Sequence, residues 1–299
     1  MQLGGLEAIH VVPAKKRKAP PVLLLHGLGL GAWIWESHQA VLAAQGIESY
    51  AVDLPGHGAD AGDVSDVSFE DVIRSARRAA ETLGTPAVIG QGFGSLVAQV
   101  LATRIPLASM VLVSPLPPAG VAFWPTAEGL KAMAPRLPAL LLGRPLSLSG
   151  SALAEAGQET LPEGRAADIA ARITALPPQL VRVASIDRPE IPRDGIDCPV
   201  LVTFGLNDKT VRMSTIRLIG DYYNALTWRF DDLGHLPPLE TGAERHATKI
   251  AAWIRRPKTR RLDEIDAFAP GDGVGQDVRE QRRGFRRRRT KLDEHGNPK

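Results

Sequence analysis

Cysteine, aromatic residues and long apolar runs are all scarce in this 299-residue chain. The single cysteine, Cys198, excludes an intramolecular disulfide and any metal site built from several cysteines. No apolar run reaches the roughly 18 residues that a transmembrane helix needs, so the sequence predicts no membrane span. The first residues lack the basic-then-apolar pattern of a signal peptide, which favours a cytoplasmic protein.

The composition is that of a packed protein, with 44% hydrophobic and 23% charged residues. The formal net charge of +3 hides an uneven distribution, because residues 257–299 carry 12 Lys/Arg and 8 Asp/Glu whereas the preceding 256 residues carry 24 and 25. This segment has little apolar content, so we predict a solvated, basic C-terminal tail. Its run Arg286–Arg289 suggests a weak contact with a polyanion, although the interspersed acidic residues favour a terminus without a partner.

Short apolar runs alternate with helical patterns along residues 1–256. Because such alternation is typical of βαβ units, it predicts a parallel sheet covered by helices on both faces. One helix is predicted to begin after Ser68, where Asp71 completes a capping box, and the last helix runs from about Gly242 to Arg255. The predicted strands are Val22–Leu25, Tyr50–Val52, Ala87–Ile89, Val111–Val113 and Val200–Phe204.

The alternation stops over residues 115–190, which are rich in Pro, Leu and Ala. We predict short helices over Ala127–Met133 and Ala166–Leu176, and no strand. The interpretation that fits best is a helical lid inserted between two strands, with an apolar underside over a pocket. The simpler alternative is a set of irregular surface helices.

Four short motifs follow predicted strands in a fixed order. They are His26-Gly27-Leu28-Gly29, Asp53-Leu54-Pro55-Gly56-His57-Gly58, Gly90-Gln91-Gly92-Phe93-Gly94, and the pair Asp208 and His235. Each motif alone is common, but the four together resemble the α/β-hydrolase family over about residues 20–256. The resemblance implies a doubly wound, mostly parallel α/β sheet with a helical lid. It also implies a small, apolar carbonyl substrate, such as an ester, a thioester or a ketone.

The resemblance implies a role for each matched residue. Asp208 would orient His235, and His235 would act as a general base. The backbone N–H groups of Leu28, in the turn that Gly27 opens, and of Phe93 would form an oxyanion hole. Either Asp208 or His235 alone is an ordinary loop residue, so the prediction rests on the pair. No cofactor and no metal are expected.

The sequence departs from the family at the position of the nucleophile. The family's turn reads Gly-x-Ser-x-Gly, whereas the central residue here is Gly92, which has no side chain. Ser95 lies in the following helix and is not expected to substitute for it. Two explanations weigh equally: general-base chemistry without a covalent intermediate, and an inactive relative that senses a ligand or joins an assembly. A substitution introduced into a working hydrolase is less favoured, because such substitutions usually go to Ala or Asn.

A dinucleotide-binding protein is the alternative from another class. Gly27, Gly29 and Ala32 follow a predicted strand as Gly-x-Gly-x-x-Ala, and Asp53 comes about 20 residues later. This interpretation would make the chain an NAD(P)-dependent oxidoreductase. It is disfavoured because it leaves Asp208 and His235 without a role.

Overall fold

The structure is a computed structural model that describes residues 1–58, 62–147 and 160–259. Within these ranges eight strands form one sheet in the order β1-β2-β4-β3-β5-β6-β7-β8. The β1–β2 and β2–β4 pairs are antiparallel. The other pairs, β4–β3, β3–β5, β5–β6, β6–β7 and β7–β8, are parallel. The strands are β1 Gln2–Leu3, β2 Leu6–Val11, β3 Val22–Leu25, β4 Ser49–Val52, β5 Ala87–Gln91, β6 Ser109–Val113, β7 Val200–Gly205 and β8 Leu226–Phe230.

Helices cover both faces of this sheet. In β3, Leu23 and Leu25 pack into the core on one face while Val22 and Leu24 pack into the core on the other, and all four are fully buried. An uninterrupted apolar strand is what a sheet buried on both faces requires. The α-helices are α1 Glu36–Ala44, α2 Phe69–Thr82, α3 Phe93–Arg104, α4 Ala127–Met133, α5 Leu137–Leu141, α6 Arg165–Arg172, α7 Pro178–Ser185, α8 Met213–Tyr222 and α9 Ala243–Arg255.

The predicted doubly wound, mostly parallel sheet is confirmed, and all five predicted strands are present, four of them longer than predicted. The capping box at the start of α2 is also confirmed, since the Ser68 hydroxyl accepts from the Asp71 N–H and the Asp71 carboxylate accepts from the Ser68 N–H. The antiparallel strands β1 and β2 were not predicted. Strand β8 was implied by the position of His235, but its bounds were not predicted.

The helix predicted over Ala166–Leu176 is partly wrong. Helix α6 ends at Arg172, and the following residues are extended, with Leu176 forming an isolated bridge to Leu146. Two causes favour the extended chain: Ile173 and Thr174 are β-branched, and prolines follow at 177 and 178.

Residues 1–259 form one compact unit. The run Arg286–Arg289 and most of the predicted tail lie outside the described residues. Of the predicted lid, residues 115–147 and 160–190 are described.

Candidate active site

A tight turn joins β5 to α3 and places Gly92 at the carboxyl edge of the parallel sheet. Gly92 has φ 52° and ψ −114°, in the left-handed half of conformational space. On either side of it, an added Cβ at Gly90 would lie 2.3 Å from the Gly94 carbonyl oxygen, and one at Gly94 would lie 2.3 Å from the Leu25 carbonyl oxygen. The two outer glycines therefore let α3 pack directly against β3 and β5.

Gly94→Ala tests this close approach. The new methyl group would overlap main chain of β3, which cannot move without disturbing the centre of the sheet, so we expect a loss of about 3 kcal/mol in the free energy of unfolding. Urea denaturation measures it. The matched control is Gly195→Ala on an exposed turn, where the nearest heavy atom is a threonine methyl group at 3.4 Å, and the expected loss is under about 0.5 kcal/mol. Equal stabilities of the two variants would contradict the packing argument.

Asp208 and His235 meet at the same edge of the sheet. Asp208 follows β7 and His235 follows β8, and their side chains pair through Asp208 Oδ2 and His235 Nδ1 at 2.9 Å. The other carboxylate oxygen of Asp208 accepts the N–H groups of Thr210 and Val211 at 2.8 and 2.9 Å. Since the Asp208 side chain is 3% exposed, these three hydrogen bonds compensate for burying its charge.

The environment of His235 favours its charged form. Burial disfavours the imidazolium and is the largest single influence, but the charge and hydrogen bond of Asp208, together with the charge of Glu240, outweigh it and raise the pKa of His235 above its usual value of 6.5. The His235 side chain keeps 14% of its surface exposed. A histidine held in one tautomer by a buried carboxylate is the arrangement that a general base requires.

His235 faces Gly92 across the site. A Cβ built on Gly92 would lie 3.8 Å from His235 Nε2 and 3.9 Å from the Gly27 Cα, both ordinary contact distances. The position therefore has room for a Cβ, in contrast to Gly90 and Gly94. The structure thus brings together the residues of three motifs that are separated by up to 208 positions in the sequence.

Leu28 and Phe93 carry the backbone N–H groups that the sequence predicts as oxyanion donors. Leu28 lies in the turn after β3, next to Gly27, and packs against both the main core and an apolar cluster of the predicted lid. Phe93 is 2% exposed and is the first residue of α3, so its N–H has no acceptor within the helix. The predicted lid stabilises the turn after β3, because the Thr174 N–H donates to the Gly29 carbonyl at 3.0 Å.

A comparison with known families identifies the family to which this fold belongs. Residues 22–252 match the model of a family described as the alpha/beta hydrolase family. The chain belongs to the alpha/beta hydrolase family. No curated protein sequence matches the chain.

Solved structures share the fold at low sequence identity. A thermophilic esterase from Thermogutta terrifontis matches with TM-score 0.62 and 20% identity, covering 84% of this chain and 93% of its own. The enol-lactonase from Burkholderia xenovorans LB400 matches with TM-score 0.63 and 17% identity, covering 84% and 98%. A putative aryl esterase from Burkholderia cenocepacia gives TM-score 0.66 and 17% identity, covering 84% and 94%.

Other residues singled out in the hydrolase motifs make contacts within the protein. The buried His26 ring accepts the Leu54 N–H through Nε2 at 3.0 Å, and burial lowers its pKa to about 4. The Asp53 carboxylate accepts the Ala32 N–H and lies against Gly58, so it supports two turns of the main chain rather than reaching for a ribose hydroxyl. The Ser95 hydroxyl is fully buried and donates to the Gly92 carbonyl, as expected for a residue that does not replace the nucleophile.

Two polar residues beside His235 were missed by the sequence analysis. Gln91, the last residue of β5, donates from Nε2 to the His235 carbonyl at 3.0 Å. Glu240 accepts the N–H groups of Gly234 and Leu236, which flank His235. The sequence does give one sign of these two residues, because each is a polar residue within an otherwise apolar stretch.

No metal or membrane feature accompanies the site in the described ranges. There, no cluster of three or more His, Cys, Asp or Glu has the arrangement needed to hold a metal ion. Nor does any helix in this part of the chain combine the length and apolar character needed to cross a membrane. Cys198 is partly exposed, and burial of its thiol raises the pKa to about 11, which keeps it in the unreactive thiol form.

Proposed function

We propose that this protein acts on a small apolar carbonyl compound by general-base chemistry without a covalent intermediate. The observation that carries the proposal is the pairing of a carboxylate-oriented His235 with Gly92. The imidazole faces the position from which the family's serine attacks its substrate, and the residue there has no side chain. In this proposal His235 is the base, and water takes the place of a protein nucleophile.

In the proposed reaction, water replaces the serine hydroxyl. His235 Nε2 takes a proton from a water molecule, and the resulting hydroxide attacks the substrate carbonyl. The N–H groups of Leu28 and Phe93 stabilise the tetrahedral oxyanion. When this intermediate collapses, the imidazolium returns the proton to the leaving alkoxide or thiolate, so the imidazole is regenerated. Asp208 stabilises the imidazolium throughout.

The same base also suits reactions that need no nucleophile. Proton abstraction from a C–H or O–H group of the substrate by His235 leads to lyase, isomerase or cyclase steps, with the same two N–H groups stabilising an enolate oxygen. Hydrolysis is the first reaction to test, because the similar structures include two esterases and an enol-lactonase.

The apolar substrate class is supported by the predicted lid. Four buried residues between 115 and 190 form an apolar cluster that packs against Leu28, at the proposed oxyanion hole: Leu140, Leu146, Leu176 and Val181. We propose that this segment covers the substrate and excludes bulk water from the site, which strengthens the electrostatic interactions there.

A panel of small nitrophenyl esters, thioesters and lactones tests the proposed reaction. We expect slow, linear product formation without an initial burst, no acyl adduct in the intact mass of the protein, and ¹⁸O from labelled water in the acid product. The matched control is the His235→Gln protein, purified identically, which reports any contaminating esterase. A burst with an acyl adduct, or undiminished turnover by the control, would contradict the proposal.

A ligand-binding protein without catalysis is the second candidate, and the absent side chain at Gly92 also favours it. It predicts that compounds of the panel raise the melting temperature without being consumed. It further predicts that the rise is the same in the His235→Gln variant, because binding then depends on the apolar cluster and not on the base.

A further inference from the structure

A buried carboxylate accepts hydrogen bonds from the main chain of the loop that carries His235. Glu240 lies five residues after His235 and is 2% exposed. Its Oε2 accepts the Gly234 N–H at 2.5 Å and its Oε1 accepts the Leu236 N–H at 2.7 Å. One side chain thus binds the residues immediately before and after His235.

This arrangement leaves the main chain around His235 little freedom. On the opposite side, Gln91 Nε2 donates to the His235 carbonyl and connects the loop to the last residue of β5, directly before Gly92. A Cβ on Gly234 would lie 3.1 Å from Glu240 Oε1 and 2.9 Å from Thr160 Oγ1, so the carboxylate also packs closely against the loop.

Burying the carboxylate of Glu240 costs free energy unless hydrogen bonds and a nearby positive charge stabilise it. Burial is the largest influence on Glu240 and, together with the charge of Asp208, raises its pKa above the usual value of 4.5, while the two backbone N–H groups and the positive charge of His235 counteract part of that effect. A neutral side chain would avoid the cost of burial, but it would not accept two N–H groups through two equivalent oxygens.

We propose that Glu240 is a positioning residue, which fixes the main chain on both sides of His235 and thereby holds the imidazole between Asp208 and Gly92. Its effect on a reaction rests on the function proposed above, whereas its effect on the geometry of His235 does not. The negative charge of Glu240 adds to that of Asp208 in favouring the imidazolium. The loop histidine is thus held by two carboxylates, of which Asp208 binds its ring and Glu240 binds the main-chain N–H groups of the residues before and after it.

Nuclear magnetic resonance of the full chain tests the proposal without any substrate. In Glu240→Gln the side-chain amide turns an N–H donor toward one of the two backbone donors, so one hydrogen bond is lost together with the charge. We expect the pKa of His235 to fall by about half a unit or more. The exchange of the Gly234 or Leu236 amide proton should accelerate about tenfold or more. The His235 signal is identified by its absence from the His235→Gln spectrum.

Two further variants make the test decisive. Glu244→Gln removes the same charge from an exposed site four residues later, and we expect neither readout to change. Glu240→Asp keeps the charge but shortens the side chain, so the pKa should stay near that of the unmodified protein while amide exchange accelerates. If Glu240→Gln does not fold, Glu240→Asp carries the exchange test.

The outcomes separate this proposal from the proposed function. An unchanged His235 pKa with unchanged amide exchange in Glu240→Gln, or unchanged exchange in Glu240→Asp, overturns the positioning role. If the unmodified protein hydrolyses members of the ester panel, kcat in Glu240→Gln should fall about tenfold or more while KM changes little. If no member is hydrolysed but both readouts change as expected, the positioning role stands and the proposed reaction fails.

Discussion

Gly92→Ser is expected to convert the protein into an esterase that forms a covalent acyl-enzyme. The new Cβ would lie 3.8 Å from His235 Nε2, so a hydroxyl one bond further out comes within hydrogen-bond reach of the base. The new Cβ overlaps no other atom, because its contacts with described residues are at ordinary distances. With Asp208 already paired to His235, the substitution completes a nucleophile, a base and an orienting acid.

The expected gain is on the order of 10²-fold or more in kcat/KM for a nitrophenyl ester. A burst should appear whose amplitude equals the protein concentration, together with an acyl adduct in the intact mass. Gly92→Ala is the matched control, since it carries the same strained φ without a hydroxyl and should show neither. Both variants should lose about 1–3 kcal/mol of stability, because an L side chain at φ 52° is strained.

The Gly92→Ser result also decides whether the residues around Gly92 are arranged for catalysis or only bind a ligand. A burst in the variant shows that the base, the orienting acid and the oxyanion donors are assembled for catalysis. A variant that folds and binds ligand but gives no burst would contradict an active-site arrangement at Gly92, and it would favour the ligand-binding alternative.

The fold was predictable because its signals are local. Strands such as Val22–Leu25 are uninterrupted apolar runs that end in glycine, proline or a polar turn, and their alternation with helical patterns implies parallel pairing. The site motifs were also predictable for this reason, since each lies at the carboxyl end of a strand or within a few residues after it. Parallel strands bring their carboxyl ends to one edge, so residues as distant as Gly92 and His235 were expected to meet.

Features that depend on tertiary contacts were not predictable. Strand β8 is half-exposed and has no continuous apolar run, so pairing with β7 decides its extent. The extended residues after α6 are stabilised in part by a tertiary contact, since the Thr174 N–H donates to the Gly29 carbonyl. Gln91 and Glu240 act on His235 through backbone groups, and no sequence spacing encodes such contacts.

His235→Gln and Asp208→Asn are expected to lose about 10²–10⁴-fold in kcat on any substrate that the protein turns over. Glutamine fills much of the imidazole volume but is not basic. In Asp208→Asn, the amide oxygen can still accept the Thr210 and Val211 N–H groups. The amide nitrogen would then donate to His235 Nδ1, which places the imidazole proton on Nε2. That tautomer presents a donor to the water, so the base is lost although the ring stays in place.

The pH dependence distinguishes this loss from simple misfolding. A general base works in its neutral form, so activity should rise with pH through the His235 pKa, which lies above 6.5 in the unmodified protein. Asp208→Asn removes the charge that raises this pKa, so the residual activity should reach its plateau at lower pH even though its maximum is smaller. The double variant should be no slower than His235→Gln alone, because the two residues act as one unit. Losses that multiply in the double variant, or a rise of activity that stays at the same pH in Asp208→Asn, would show that Asp208 does not act through His235.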